Sequence, residues 1–427
     1  MNYARTVLPN GLRLLVAPMP EARSVTVNVM VGAGSRYERR IEAGISHFLE
    51  HIVFKGSAKR PTAPEISQAV EALGGMLNAF TDKEVTGFWA RVPARHYLVA
   101  LDVIADMLRH PMLRESDVVA ERQVILEEIR MNLDAPQDLV HVMMDALLYP
   151  NSPLGWETAG RAAVVMKIGA DALRAYMDRL YSPQRIVVSL AGPLDVAEAQ
   201  AAVAAQLGDL PKRPPQRFRE APPPGPLHRR MRAKRGEQAH VVIGYRGISN
   251  SHPDRYALDM LNAVLGEGMS SRLFLELREK LSLAYDVHSF VSNYSDAGMV
   301  GIYAGVAPHR TAEAHGAALR EVDRLIREPV GEAELMRVKD FVKGRLELRM
   351  EDTGGVCRWI AGQELLLGHI RSVEEIAVII DSITADDIQR VAQTYLRPEL
   401  SYTTVVGPQT AVATMTEPAP ADAAAIA

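Results

Sequence analysis

Cysteine is all but missing from this chain: Cys357 is the single one among 427 residues. One thiol cannot form an intrachain disulfide, which points to a reducing compartment, and Cys357 itself reads as a buried structural thiol. Also missing is any apolar run approaching the roughly 18 residues that a membrane span needs. The net charge is only −4, so there is no general pull toward nucleic acid or anionic lipid, and neither is expected as a partner. The opening stretch, MNYARTVLPNGLRLLV, alternates and turns at Asn10-Gly11. That reads as a β-hairpin and not as a signal peptide, so cytoplasmic placement is the expectation. What is present is ordinary globular composition, 48% hydrophobic and 23% charged, which excludes collagen-like, coiled-coil and wholly disordered chains. The length allows two or three domains.

The clearest boundary is 211–235, which holds PKRPP, APPPGP and the basic run HRRMRAKR. Rich in proline and charge, it reads as an extended, solvated linker. The stretches on either side resemble each other. GADALRAYMDRLYSPQRIVVSLAGP (169–193) lies over TADDIQRVAQTYLRPELSYTTVVGP (384–408) at an offset of 215, without gaps. Both read as helix, Pro-containing turn, apolar strand and Gly-Pro stop. A repeat of this length is a duplicated domain and not a solenoid unit. Short turns between strands and interspersed helices make each copy α+β with a largely antiparallel sheet. The expected division is therefore a domain at 1–210, the linker at 211–235, a homologous domain at 236–410 and a disordered tail at 411–427.

Only the first copy carries a metal-binding pattern. In HFLEH, His47, Glu50 and His51 stand at i, i+3 and i+4, so a helix projects all three from one face within a turn. Two imidazoles so placed can grip one Zn²⁺, with the carboxylate between them reaching activated water. A pair of surface histidines with a salt-bridging Glu is the plainer alternative. A catalytic zinc needs a third protein donor. On a helical wheel of the segment from Asp117, Glu121 and Glu128 lie within about 20° of each other. Ile125, Val118, Val124, Ile129 and Met131 flank them, whereas Glu127 lies on another side. Carboxylates on a core face need partners or a metal, so one is expected to ligate and the other to support a ligand, with buried Arg pairs as the alternative.

With these residues the sequence resembles the pitrilysin-like zinc peptidases, whose signature is HxxEH, in particular the branch of the mitochondrial processing peptidases and their bacterial relatives. That family places its ligand glutamate some 75 residues after the motif; here 76 residues separate His51 from Glu128, within ERQVILEEI. The resemblance implies a metallopeptidase-like α/β roll in each copy. It also implies zinc on His47, His51 and Glu128, Glu50 as general base, and an assisting role for Glu121. In the second copy, GEGMSSRLFLELREKLSLAY resembles the family segment whose Arg and Tyr hold the substrate backbone, which map to Arg278 and Tyr285. The strand at Asn78, Ala79, Phe80 and Thr81 corresponds to the edge that pairs with an extended peptide, although Asn78 could equally cap a turn. Asn262 to Gly266 stands opposite HFLEH, so the second copy is the inactive one. Four such domains enclose a chamber in the family, which implies a homodimer, or a heterodimer with a related chain, whose Arg278 and Tyr285 serve the partner's site. The expected activity is a zinc-dependent endopeptidase for unfolded or presequence-like peptides. The alternative is a non-catalytic peptide-binding or assembly subunit. The wheel separates two adjacent carboxylates: Glu128→Gln should strip metal from the protein while Glu127→Gln should not. Metal-to-protein stoichiometry checks this, and equal loss from both variants would defeat the assignment.

Overall fold

A computed structural model describes residues 2–226 and 228–416. The first half of the chain begins with β1 (Ala4–Val7), β2 (Arg13–Pro18), β3 (Ser24–Val31), α1 (Ile45–Ile52) and α2 (Ala63–Glu71). Next come β4 (Met76–Thr81), β5 (Thr86–Pro93), α3 (Tyr97–Arg109), α4 (Glu115–Asp134) and α5 (Pro136–Leu148). The half closes with α6 (Ala162–Val165), α7 (Ala170–Leu180), β6 (Ile186–Gly192) and α8 (Val196–Leu207). The second half has β7 (Arg229–Ala233), β8 (Ala239–Gly247), α9 (Arg255–Gly266), a π-helical stretch at Phe274–Lys280, β9 (Ala284–Asn293) and β10 (Gly298–Val306). It ends with α10 (Thr311–Arg327), α11 (Glu332–Met350), α12 (Thr353–Leu366), α13 (Val373–Ser382), α14 (Ala385–Tyr395), β11 (Tyr402–Gly407) and α15 (Gln409–Thr416). A shift of 215 carries α7 onto α14 residue for residue, and β3 and β6 onto β8 and β11 to within one.

Local signals in the sequence act where they stand. The Asn10-Gly11 turn joins β1 and β2 antiparallel, with Gly11 at φ 92°. Thr62 and Glu65 form a reciprocal capping box at the start of α2, which stops before Gly74 at φ 73°. One sheet has the order β1-β2-β6-β3-β5-β4 and the other β7-β11-β8-β10-β9. Apart from the parallel pairs β2–β6 and β7–β11, the pairings among the described residues are antiparallel, so the fold is α+β with largely antiparallel sheets.

The first compact unit comprises Met1–Arg130, Trp156–Glu220 and Arg345–Ile376; the second comprises Met131–Gly155, Ala221–Gly344 and Ala377–Ala427. Each therefore takes a helix from the other half of the sequence. In the first, strand alternation feeds two cores at once: Leu14, Val16, Val25, Val27 and Val29 enter one, and Leu15, Ala17 and Met30 the other. That second core is closed by Val356, Cys357, Ile360 and Ala361 of α12. Glu364 of the same helix is buried and takes both Arg5 (2.9 Å) and, at 3.7 Å, Arg13. Thr353 exchanges a 2.8 Å hydroxyl contact with Thr26. In the second unit the equivalent helix is α5, whose Leu139, Val140, Met143 and Met144 pack with Val242, Tyr303, Tyr402 and Val406. Equivalent helices have been traded between equivalent sheets.

Two expectations need correction. The stretch 211–235 is not solvated linker throughout. Phe218 lies under the Arg36 guanidinium at 3.8 Å, with Arg36 in turn bound to Glu84 at 2.5 Å, and Arg229–Ala233 forms the edge strand β7. Its arginines leave a charged outer edge, which discourages further strand pairing. The tail expected to be disordered from 411 instead continues the helix α15, with Ala411 and Met415 buried, while 417–427 lie outside the described residues. Cys357 is buried as expected, donates to Thr26 O at 3.3 Å, and burial pushes its thiol up to about 12. Thiol reagent should therefore fail to label native protein and should label fully once urea unfolds it. Labelling of the folded chain at the rate of a free thiol would contradict the docking of α12.

Candidate active site

Helix α1 is fixed by what it buries. Ile45, Phe48, Leu49 and Ile52 lie in the core, so the opposite side, carrying His47, Glu50 and His51, remains half-open. Its start demands a glycine: Gly44 has φ 100°, and a Cβ there would lie 2.6 Å from Ala159 O. Two N–H groups of the first turn, which no helix satisfies internally, are taken by Glu38: Gly44 N at 2.7 Å and Ser46 N at 2.9 Å. Ser46 Oγ also meets the buried Tyr176 hydroxyl at 2.6 Å.

From this base three donors converge. His47 Nε2 and His51 Nε2 stand 3.1 Å apart. Glu128 approaches them at 3.6 and 3.7 Å, with one oxygen toward each ring. Among the described residues this is the one set of three such donors close enough to share an ion. Zinc bonds of about 2.0–2.2 Å in a tetrahedron put ligand atoms about 3.3–3.6 Å apart, which falls inside the observed range. Glu121 Oε1 receives His51 Nδ1–H at 2.9 Å, which turns the Nε2 lone pair toward the ion position. The other Glu121 oxygen is 2.5 Å from Lys55 Nζ. His47 Nδ1 is buried without a partner.

The electrostatics separate the groups. Burial, with His51 beside it, holds His47 down to about 4. Burial lowers His51 as well, but Glu121, Glu128 and Glu50 outweigh it and leave His51 above its ordinary value. Burial raises the Glu50 carboxyl; the Thr81 hydroxyl and His51 oppose the rise and Glu128 adds to it. A carboxyl raised in this way is a better proton acceptor than a free one. For Glu121 burial is outweighed by His51 and Lys55, which keep its carboxyl below the usual range.

The structure brings His47, His51, Glu50, Glu121 and Glu128 together, but it amends the helical-wheel argument. Val118, Ile125 and Ile129 are buried, yet Val124 and Met131 are 51% and 69% exposed. The apolar stripe is therefore narrower than expected. Glu121 lies within it, and Glu128 sits on its rim with a side chain 39% exposed. Glu127 pairs in solvent with Arg130. Strand β4 is the free edge of its sheet, with Asn78 opposite Trp89 and Thr81 opposite Thr86. The Asn78 side chain accepts from Ala79 N at 2.8 Å within the strand, so it caps no turn there. Arg278 and Tyr285 belong to the second unit and meet one another there: Arg278 Nη1 donates to Tyr285 O at 2.8 Å, and its guanidinium lies 4.9 Å from the Tyr285 ring. The Tyr285 ring is 75% exposed, and Arg278 sits in the π-helical stretch, an irregularity common at functional sites. Asn262 to Gly266, in α9, is buried and holds no metal donor set.

The sequence pattern of the insulinase peptidases, family M16, matches residues 13–161, and that of the M16 inactive domain matches residues 167–342. This chain belongs to the M16 peptidase family. An uncharacterized zinc protease of Streptomyces coelicolor is 38% identical over 95% of this chain and 89% of its own length. A second relative, an uncharacterized zinc protease of Bacillus subtilis, is 36% identical over 91% of this chain and 93% of its own length. A crystal structure of a protease from Helicobacter pylori superposes with a TM-score of 0.90 at 24% identity, covering 95% of this chain and 99% of that one. An M16 inactive-domain peptidase structure from Pseudomonas fluorescens reaches 0.90 at 18% identity over 96% and 98%. These two show the shared M16 fold.

Two residues around the M16 motif were not legible in advance. Lys55 stands four residues beyond His51, and nothing in its spacing names Glu121 as its partner. Glu38 lies too far before α1 to read as a cap, because the caps visible in sequence sit within three or four residues of the helix start. Burial raises the Glu38 carboxyl to about 7, against the two backbone hydrogen bonds that lower it. The folded state therefore holds an extra proton between its ordinary 4.5 and about 7, and this group's contribution to stability declines as pH rises through that window. Glu38→Ala, which orphans both N–H groups, should cost about 2–4 kcal/mol in urea unfolding and weaken zinc uptake. Stability and zinc affinity unchanged from wild type would show that α1 needs no such cap.

Proposed function

We propose that this M16 protein is a zinc-dependent endopeptidase acting on unfolded or presequence-like peptides. The observation that carries this reading is the convergence of His47, His51 and Glu128 donors at tetrahedral spacing, with Glu50 on the same face of the same helix. Zn²⁺ held there would supply the Lewis acidity that activates water and polarises a scissile carbonyl. Glu50 takes the proton from the attacking water on a carboxylate oxygen and delivers it to the departing amine. Its raised proton affinity suits both transfers. Glu121 keeps the His51 ring in the orientation and tautomer that ligation requires.

The edge strand β4 suits an extended substrate. Its outer backbone groups, from Asn78 to Thr81, would hydrogen-bond a peptide as an added strand, giving affinity with little sequence preference. A peptide bound in this way must be extended over the paired stretch, which suits an unfolded segment. Arg278 and Tyr285 would grip the peptide backbone, and in a homodimer, or a heterodimer with a related chain, they would serve the partner's zinc site. The dimer would then enclose its substrate in a chamber. Among the described residues no helix is long and apolar enough to cross a membrane.

The test is zinc content together with cleavage of an unstructured peptide. Wild type should hold one zinc per chain and cleave; Glu50→Gln should keep the zinc and lose at least about a hundredfold in kcat. A Gln variant that cleaves as fast as wild type would end the endopeptidase reading. Zinc-loaded wild type that binds the peptide but leaves it intact would favour a non-catalytic peptide-binding or assembly subunit.

A further inference from the structure

Lys55 stands where the two metal-bearing helices are braced together. It closes the short turn Val53–Lys55 directly after α1. The next residue must be glycine: Gly56 has φ 155°, and a Cβ there would lie 2.3 Å from Pro61 O. Arg114, immediately before α4, donates to Lys55 O at 3.2 Å and to Pro61 O at 2.7 Å. The same guanidinium reaches Asp117 of α4 at 2.7 Å. The backbone under Lys55 is thus tied to the end of α1 and the beginning of α4, and its ammonium points into the interval between them. There it meets Glu121 Oε2 at 2.5 Å, while Glu121 Oε1 faces His51 Nδ1 at 2.9 Å.

An exposed lysine pairing with an exposed carboxylate is worth little, since water does nearly as well for both. Here the Glu121 side chain is only 6% exposed and Lys55 is 35% exposed. A carboxylate so placed, against Val118 and Ile125, has little solvent to fall back on, and loss of one partner leaves an oxygen unanswered. It also has an alternative. Glu121 and Glu128 are on the same helix two turns apart, and both are within reach of His51. Either carboxylate has the chemistry of a zinc ligand, so something must decide between them.

We infer that Lys55 is a positioning residue for the metal: by occupying Glu121 Oε2 it leaves Oε1 for His51 Nδ1–H, and so fixes both the His51 nitrogen that faces the ion and the carboxylate that ligates it. The inference rests on the metal reading above. Without the ammonium, Glu121 is free to turn an oxygen toward the cation, His51 loses its support, and the site exchanges an ordered set of three ligands for a mixture. Arginine at this position can still hold Oε2, whereas an uncharged chain of similar length cannot.

The experiment is zinc affinity by competition with a chromogenic chelator, together with the visible spectrum of the Co²⁺-loaded protein, for wild type, Lys55→Met, Lys55→Arg and Glu121→Gln. Lys55→Met should bind zinc about 10–100-fold more weakly and show an altered Co²⁺ spectrum. Lys55→Arg should recover most of the affinity. Adding Glu121→Gln to Lys55→Met should weaken zinc binding far less than Glu121→Gln does alone, because the two act through one contact. Should Lys55→Met be unfolded by circular dichroism, Lys55→Gln takes its place with the same expectations. Zinc affinity within twofold of wild type and an unchanged Co²⁺ spectrum in the folded variant would overturn the role of Lys55 while leaving the metal reading intact. Wild type that binds no zinc would overturn both.

Discussion

Everything at the site depends on which side of one short helix is buried. With Ile45, Phe48, Leu49 and Ile52 committed to the core, α1 has a single side left, and that side carries His47, Glu50 and His51. Two imidazole nitrogens 3.1 Å apart share one place between them. A shared cation or a proton between them answers both, and the Glu128 carboxylate adjoins the pair at 3.6 and 3.7 Å. The scaffold around α1 answers this one demand. Glu38 and Gly44 set where the helix begins, the Val53–Lys55 turn and Gly56 set where it ends, and Glu121 sets how one ring is turned.

How much of this was legible follows from the distance over which each signal acts. HFLEH announces itself because a helix period is a local rule, and a local rule can be read from five residues. The 215-residue repeat was legible for a similar reason: α7 and α14 keep the same helix, turn and strand without a gap. Glu128 is legible from a helical wheel together with the family resemblance. The wheel alone overstated its burial, because the stripe of α4 has only one well-covered flank and Val124 and Met131 are open. Lys55 and Glu38 stayed hidden because their partners are set by how segments come together, which no local period encodes. The same holds for β7: a run of arginines next to prolines has the composition of a solvated linker, and only the presence of β11 beside it makes it a strand.

The two halves show what duplication leaves free to change. Strand and helix positions persist, along with the two-faced sheet and the Pro-turn-strand closing segment, since each fills a core. The donor set fills none, and at the equivalent place in α9 a run from Asn262 to Gly266 is simply buried. The second half instead has an exposed Tyr285 beside Arg278, and Arg278 stands on a π-helical stretch, an irregularity common at functional sites. One copy holds the donor set, and the other does not.

The traded helices α5 and α12 bear on whether either half could fold alone. A single half-chain, folded on its own, would have its sheet face uncovered and its own equivalent helix with nowhere to dock. Two identical half-chains would cure both faults by each lending that helix to the other, which is a domain-swapped homodimer. Within one polypeptide the same exchange of equivalent helices between equivalent sheets is made between its two halves. Each unit is completed by a helix from the other half of the sequence, so neither half carries within itself everything its core needs.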